Sequence, residues 1–346
     1  MTLASMGLLM FVLSFIVILV SCELFTNGVE WAAKRFNLSR GAVGSVLAAV
    51  GTALPETMVP LIAILFLPAA SGVGQDIGVG AIMGSPFMIG TLALFVCGLS
   101  LLLFRRRRAS PLLALDGRLV RRDLGFFLLA YSLAAAAAFL PGDMRWPRYL
   151  LGLGLLLLYL AYVWRAVRQD AGPEEGTGAL YLQRPFPRSH SEPATALIIG
   201  QVLLAIIGIV TGAALFVDQI REISLAVGVP PLILALLIAP MATELPEMYN
   251  SFTWIRGGKD VYAMGNLTGA MVFQSCIPVT IGLLLTSWHI DLGEPQQVLQ
   301  AASIIIALLS AAVLYVSATR RAIGLPNLLL GGLLYTAFII LVLLVV

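Results

Sequence analysis

Two stretches place acids inside long apolar runs. Leu236 to Trp254 reads LLIAPMATELPEMYNSFTW, with Glu244 and Glu247 in one turn and Pro246 beside the second acid. Leu47 to Leu65 reads LAAVGTALPETMVPLIAIL and repeats the Leu-Pro-Glu step at Glu56. An ionisable side chain at membrane depth is expensive, so it marks a functional candidate. Pro55 and Pro246 each lack an N–H and crowd the carbonyl four residues back. Freed carbonyls are therefore expected around Gly51 and Ala242. With the hydroxyls of Thr52 and Thr243, the donors are all oxygen, which suits hard cations such as Ca²⁺, Na⁺ or Mg²⁺ rather than soft metals. Three acids with no Lys or Arg at their depth would repel one another and share protons in coupled steps.

Those residues need elements that hold them in a bilayer. The 346 residues are 60% hydrophobic and only 11% charged, with mean hydropathy +0.97. An average soluble domain is about a quarter charged, so a soluble globule is excluded. A β-barrel would show alternating segments of about ten residues, whereas these runs are long and rich in Leu, Ala, Ile and Gly. An all-α membrane protein follows. Spans of about 20 apolar residues are expected at roughly 3–21, 41–67, 77–103, 124–140, 147–164, 194–217, 229–254, 260–287, 297–318 and 325–346. The first lacks a basic leader and a small-x-small cleavage site, and reads as a membrane helix rather than a signal peptide.

Lys and Arg distribute unequally across these ten spans. Of 21, eighteen fall in loops on one side and only Arg145, Arg148 and Arg221 on the other. The positive-inside rule then puts both termini outside the cytoplasm, in an inner or plasma membrane. The run Arg105–Arg108 reads as a topology anchor with lipid contact as its alternative, and not as a nucleic-acid site. The polar segment Gln169–Pro193 reads as a cytoplasmic linker, 169–193, between halves 1–168 and 194–346. Trp31, Trp146, Trp164, Trp254 and Trp288 fall near span ends, as interfacial anchors do. Cys22, Cys97 and Cys276 have no metal-ligand spacing and read as apolar packing.

The halves resemble each other. Glu23–Glu56 aligns without a gap on Ala214–Glu247 at an offset of 191, and Gly80 and Gly84 meet Gly265 and Gly269 at 185. Five spans per half reverses the second half, which gives the inverted repeat of secondary transporters with a site near the midplane. Glu56 and Glu247 are then expected to meet across the pseudo-twofold axis.

GTALPE and ATELPE, each followed by Gly-x-x-x-Gly, resemble the two α-repeats of the sodium/calcium exchanger family. The resemblance covers nearly the whole chain. It implies ten helices in two inverted five-helix repeats. It makes Glu56 and Glu247 the central cation ligands, with Thr52, Thr243 and Ser85 adding oxygen, and implies that the first and sixth helices slide against the rest. The second Gly-Asn step adds Asn266. The sequence departs from the family at Glu244, where a Ser is usual, and at Ile89 and Gln274, where Asn or Asp is usual. Ala81 and Ala270 also depart. One acid is gained at 244 and one potential acid lost at 274, which makes proton coupling as plausible as sodium coupling.

The expectation is a secondary active antiporter exchanging Ca²⁺ for Na⁺ or H⁺, with Na⁺ (or K⁺)/H⁺ or other divalent/H⁺ exchange as the alternative. It is not expected to be an enzyme or to carry a cofactor; its partners are lipid and the transported cations. A monomer is expected, with a dimer as the alternative. A metalloenzyme would need a nucleophile or His ligands at membrane depth, and the histidines, His190 and His289, fall in loops. A passive channel also uses rings of acids, and differs in lacking uphill flux.

Overall fold

The computed structural model describes residues 3–35, 54–68, 72–107, 112–113, 115, 117–141, 144–169, 179–183, 192–320 and 323–345. Thr52 and His190 lie outside the described residues, as does most of the expected linker. Among the described residues there is no strand; Leu112 and Gly324 form an isolated antiparallel bridge.

The α-helices are α1 (Leu3–Arg35), α2 (Leu54–Phe66), α3 (Val73–Met88), α4 (Leu94–Leu103), α5 (Gly117–Ala138), α6 (Arg145–Gln169), α7 (Thr195–Val227), α8 (Pro231–Thr243), α9 (Leu245–Arg256), α10 (Asp260–Leu285), α11 (Pro295–Thr319) and α12 (Leu325–Val345). A π-helical turn, Ile89–Ala93, joins α3 to α4 in one continuous rod. Among the described residues, seven helical rods are long and apolar enough to cross a membrane, and eight when α8 and α9, bent by 45°, count as one. Each of the ten expected ranges contains helix among its described residues.

Some boundaries differ from the expected ones. α1 runs on past residue 21 to Arg35, and α7 past 217 to Val227. The polar residues that marked an end in the sequence, such as Glu23 and Asp218, sit within helices that no proline interrupts. α5 starts at Gly117 rather than 124 and carries Arg118, Arg121, Arg122 and Asp123 in its first turns. Long arginine stems can lie along the apolar helix while their heads reach polar surroundings.

The bundle has two hydrophobic clusters. The larger joins α3–α6 and α8–α12. The smaller joins α1, α2 and α7 to Ile77 and Ala81 of α3 and to one face of α8. Ile18, Cys22 and Phe25 of α1 pack there with Ala205, Ile209, Ala213 and Phe216 of α7. Close approach is possible because the seam is lined by small residues: a Cβ on Gly212 would stand 2.9 Å from Ile18 Cγ1. At one end the seam is polar. Gln201, buried on α7, donates to Leu24 O at 2.9 Å and Asn27 Oδ1 at 3.0 Å. Leu182 N donates to Gln201 Oε1, and Tyr181 N to Asn27 Oδ1, both at 3.0 Å. A linker turn is thereby fastened across α1 and α7.

α3 lies against α8 through Gly80 and Gly84. A Cβ on Gly80 would strike the Leu232 carbonyl, and one on Gly84 the Leu236 carbonyl and the Pro240 ring. The matching Gly265 and Gly269 have only ordinary side-chain neighbours, each 3.5 Å away, on Leu119 and Tyr162. Cys22, Cys97 and Cys276 are buried free thiols, in keeping with packing roles.

Trp288 departs from the expected interfacial position. It is 1% exposed, its Nε1 donates to Ala134 O at 3.0 Å, and its backbone φ is +37°. Gly282 leaves the room the indole fills, since a Cβ there would run into the six-membered ring. Trp146 and Trp164, in contrast, are exposed.

Candidate cation site

α2 carries Glu56 in its first turn. Glu244 sits at the break between α8 and α9, with φ −89° and ψ −2°, and Glu247 falls in the first turn of α9. The break lies at Glu244 rather than at Pro246. Pro246 itself belongs to the first turn of α9, where a missing N–H leaves no helical hydrogen bond unmade. That turn also points the positive end of the α9 dipole at Glu247.

All three carboxylates are buried, with exposures of 2% or less. Each offers an oxygen, and these oxygens lie within 4.8 Å of one another. Two unit charges at 4.8 Å repel by about 3.5 kcal/mol at an effective dielectric constant of 20. Three full charges therefore need cations or protons among them.

Gln274 of α10 closes the group. Its Nε2 donates to Glu56 Oε2 at 3.0 Å and to Glu244 Oε1 at 2.7 Å. One neutral amide thus ties an acid of the first half to an acid of the second. Glu56 Oε1, Glu244 Oε2 and Gln274 Oε1 are buried without a hydrogen-bond partner. Buried oxygens in that condition are costly, and a cation would complete them.

Backbone oxygen is available at the same place. Pro60 lies inside α2 and Pro278 inside α10. Neither can supply an N–H to the carbonyl four residues earlier, and those carbonyls belong to Glu56 and Gln274. Pro55 and Pro246 are the first such pair in the sequence. The same four-residue rule applied to every proline would have found this second pair.

The remaining candidates are placed less simply. Thr243 is buried beside Glu244, yet its hydroxyl donates to Ala239 O at 3.2 Å, on its own helix. Ser85 is buried on α3 next to Glu244, with its hydroxyl on Ala81 O at 3.3 Å. Asn266 is placed against the backbone of one of the acids. Its Nδ2 donates to the backbone carbonyl of Glu247 at 3.4 Å, and it stands eight residues, about 12 Å, along α10 from Gln274. Ser251 Oγ ties α9 to α10 through Ala263 O at 3.3 Å. Ile89 is fully buried at the start of the π-turn, so no polar atom of its side chain enters the site.

The sodium/calcium exchanger protein family model matches residues 6–168 and 197–346. The chain belongs to this family. It is similar to the inner membrane protein YrbG of Escherichia coli, at 24% identity over 303 residues and 86% of each chain. Its fold is similar to that of the H⁺/Ca²⁺ exchanger CAX, with a TM-score of 0.73 at 16% identity over 98% of this chain and 86% of that one. The sodium-calcium exchanger NCX_Mj, soaked with 2.5 mM Na⁺ and 0.1 mM Sr²⁺, gives 0.59 at 21% identity over 97% and 98%. The exchanger fold, all helical and spanning the membrane several times, is thus established, as is membership of a cation antiporter family.

Proposed function

We propose that this exchanger is a secondary active antiporter carrying Ca²⁺ against Na⁺ or H⁺, with Glu56, Glu244 and Glu247 as the shared ion site. The observation that carries the reading is the trio of buried carboxylates within 4.8 Å, joined through a neutral amide. Oxygen-only donors favour hard cations. Exchange follows from electrostatics: an empty cluster of uncompensated charge is costly to carry between open faces, so each transit takes a cation or protons. Thr243, Ser85 and Gln274 supply further oxygen, Thr52 is assigned with them from the repeat, and Asn266 fixes the backbone of Glu247.

In this reading the chain is two inverted five-helix units, 1–168 and 194–346, joined by a linker at 169–193. It has ten spans, both termini outside the cytoplasm, and a monomeric protein in the inner membrane. The 18-to-3 bias of Lys and Arg between alternate loops supports that orientation. The site lies near the midplane, and α1 and α7 move as a pair over the remaining helices. The close small-residue seam between α1 and α7, where a Cβ on Gly212 would stand 2.9 Å from Ile18 Cγ1, supports their moving together.

The test is uptake of radiolabelled Ca²⁺ into proteoliposomes under an outward Na⁺ gradient in one set and an outward H⁺ gradient in another. Uptake driven by either gradient, lost in E56Q, supports the reading and names the counter-ion. Uptake under neither refutes Ca²⁺ and shifts the assignment to Na⁺ (or K⁺)/H⁺ or another divalent/H⁺ exchange. Equal flux without a gradient of counter-ion would indicate a channel instead.

A further inference from the structure

A cleft of about 680 Å³ opens between α5, α6 and α11, far in sequence from the carboxylates. Arginines of two helices line it: Arg118, Arg121 and Arg122 from the start of α5, and Arg165 from the end of α6. The rest of the wall is apolar, formed by Phe126, Leu129 and Leu158 among others, and Leu129 is 52% exposed. Three of these arginines have defined contacts. Arg121 Nε donates to Gly117 O at 3.1 Å. Arg122 lies over the Tyr162 ring at 5.5 Å and Arg165 over Phe126 at 5.7 Å. Arg122 Nε also pairs with Asp123 Oδ1 at 3.0 Å, and Thr268 Oγ1 donates to the other Asp123 oxygen at 2.7 Å. Asp123 is thereby tied to Arg122 on one side and to Thr268 of α10 on the other.

We infer that this cleft binds an anionic glycerophospholipid, its phosphate on the arginines and an acyl chain along Phe126, Leu129 and Leu158. Guanidinium forks match phosphate oxygens in pairs, and basic pockets between membrane helices take anionic headgroups. Topology alone requires only positive charge near span ends, a condition that exposed Arg105 and Arg106 already meet on a separate turn. It does not require arginines of two helices to converge on one apolar-walled cleft. A free phosphate would have no use for that wall, so the lipid is the better match.

Native mass spectrometry of the purified full-length protein, titrated with phosphatidylglycerol or phosphatidylcholine, tests this. Phosphatidylglycerol should be retained preferentially. R121Q/R165Q should weaken its retention by about 25-fold, at about fivefold for each arginine, while R105Q/R106Q leaves it unchanged. A161W fills the wall, since Ala161 also lines the cleft, and should lose the lipid with all four arginines present. A161W thus serves as the test even if R121Q/R165Q fails to fold. Equal retention of the two lipids, equal loss in R105Q/R106Q, or retention unaffected in folded A161W would overturn the assignment. Thermal protection by inorganic phosphate equal to that by phosphatidylglycerol would assign the cleft to free phosphate and overturn it as well.

Discussion

Replacing Glu244 by Gln removes one charge from the cluster and keeps its shape. A glutamine oxygen can still accept the 2.7 Å bond that Gln274 gives to Glu244. In the wild type, each pair of charges within 4.8 Å costs about 3.5 kcal/mol at an effective dielectric constant of 20. Neutralising Glu244 therefore relieves about 7 kcal/mol of repulsion in the fully ionised cluster. In the proposed antiporter that repulsion draws protons into the empty site. Protons and cations compete for the same oxygens, so the Ca²⁺ concentration for half-maximal uptake should rise as the pH falls. Each proton displaced per cation contributes about tenfold per pH unit. E244Q loses one titrating carboxylate, so its dependence should be shallower by up to about tenfold per pH unit, with exchange still measurable through Glu56 and Glu247. The assay is the Ca²⁺ dose-response of proteoliposome uptake in mildly acidic, neutral and mildly alkaline buffer. An E244Q curve that shifts with pH as steeply as the wild type would refute the idea that Glu244 shares the site's protons. Complete loss of exchange in folded E244Q would refute the idea that two acids suffice.

E56Q and E247Q should each abolish exchange while the protein still elutes as a folded species, because each removes a carboxylate that its half of the chain contributes to the proposed site; retained transport in both would defeat the assignment. G84A pushes a methyl group into the Leu236 carbonyl and the Pro240 ring, and should destabilise the protein by about 1–3 kcal/mol, read as a lower thermal midpoint in detergent. An unchanged midpoint would mean that α3 and α8 are not held as closely as described. Q201L removes the donor to Asn27 and Leu24 and the acceptor of Leu182 N, at about 1–3 kcal/mol for each buried group left unsatisfied. Limited proteolysis should then cut at 179–183 faster than in the wild type, and equal rates would show that Gln201 does not anchor that turn.

Much of the fold is legible in the sequence because bilayer physics leaves few options for a long apolar run. The acids are legible for a related reason. Leu-Pro-Glu recurs at an offset of 191, inside runs where any charge is conspicuous. What sequence cannot carry is the direction a side chain takes when several partners are in reach. Thr243 sits one residue before Glu244, yet its hydroxyl returns to the carbonyl four residues back, a choice open to any helical Thr. Asn266 occupies a family position, and its amide donates to the backbone carbonyl of Glu247. Trp288 sits at a span end and still turns inward, because Gly282, six residues earlier, leaves it room.

Gln274 is the clearest case, since its two acceptors lie 218 and 30 residues away and no local spacing encodes them. Its position does have a local consequence. A proline stands four residues after Gln274 and another four residues after Glu56, so each of these side chains shares its residue with a carbonyl deprived of its helical donor. Side-chain and backbone oxygen are thereby short of donors at the same residues, in helices from opposite halves of the chain. A hydrogen-bonded core would not tolerate that combination well. A site whose missing partner is a transported cation needs it, because the ion must find oxygen ready when it enters and must leave behind a structure that protons or another cation can satisfy in turn.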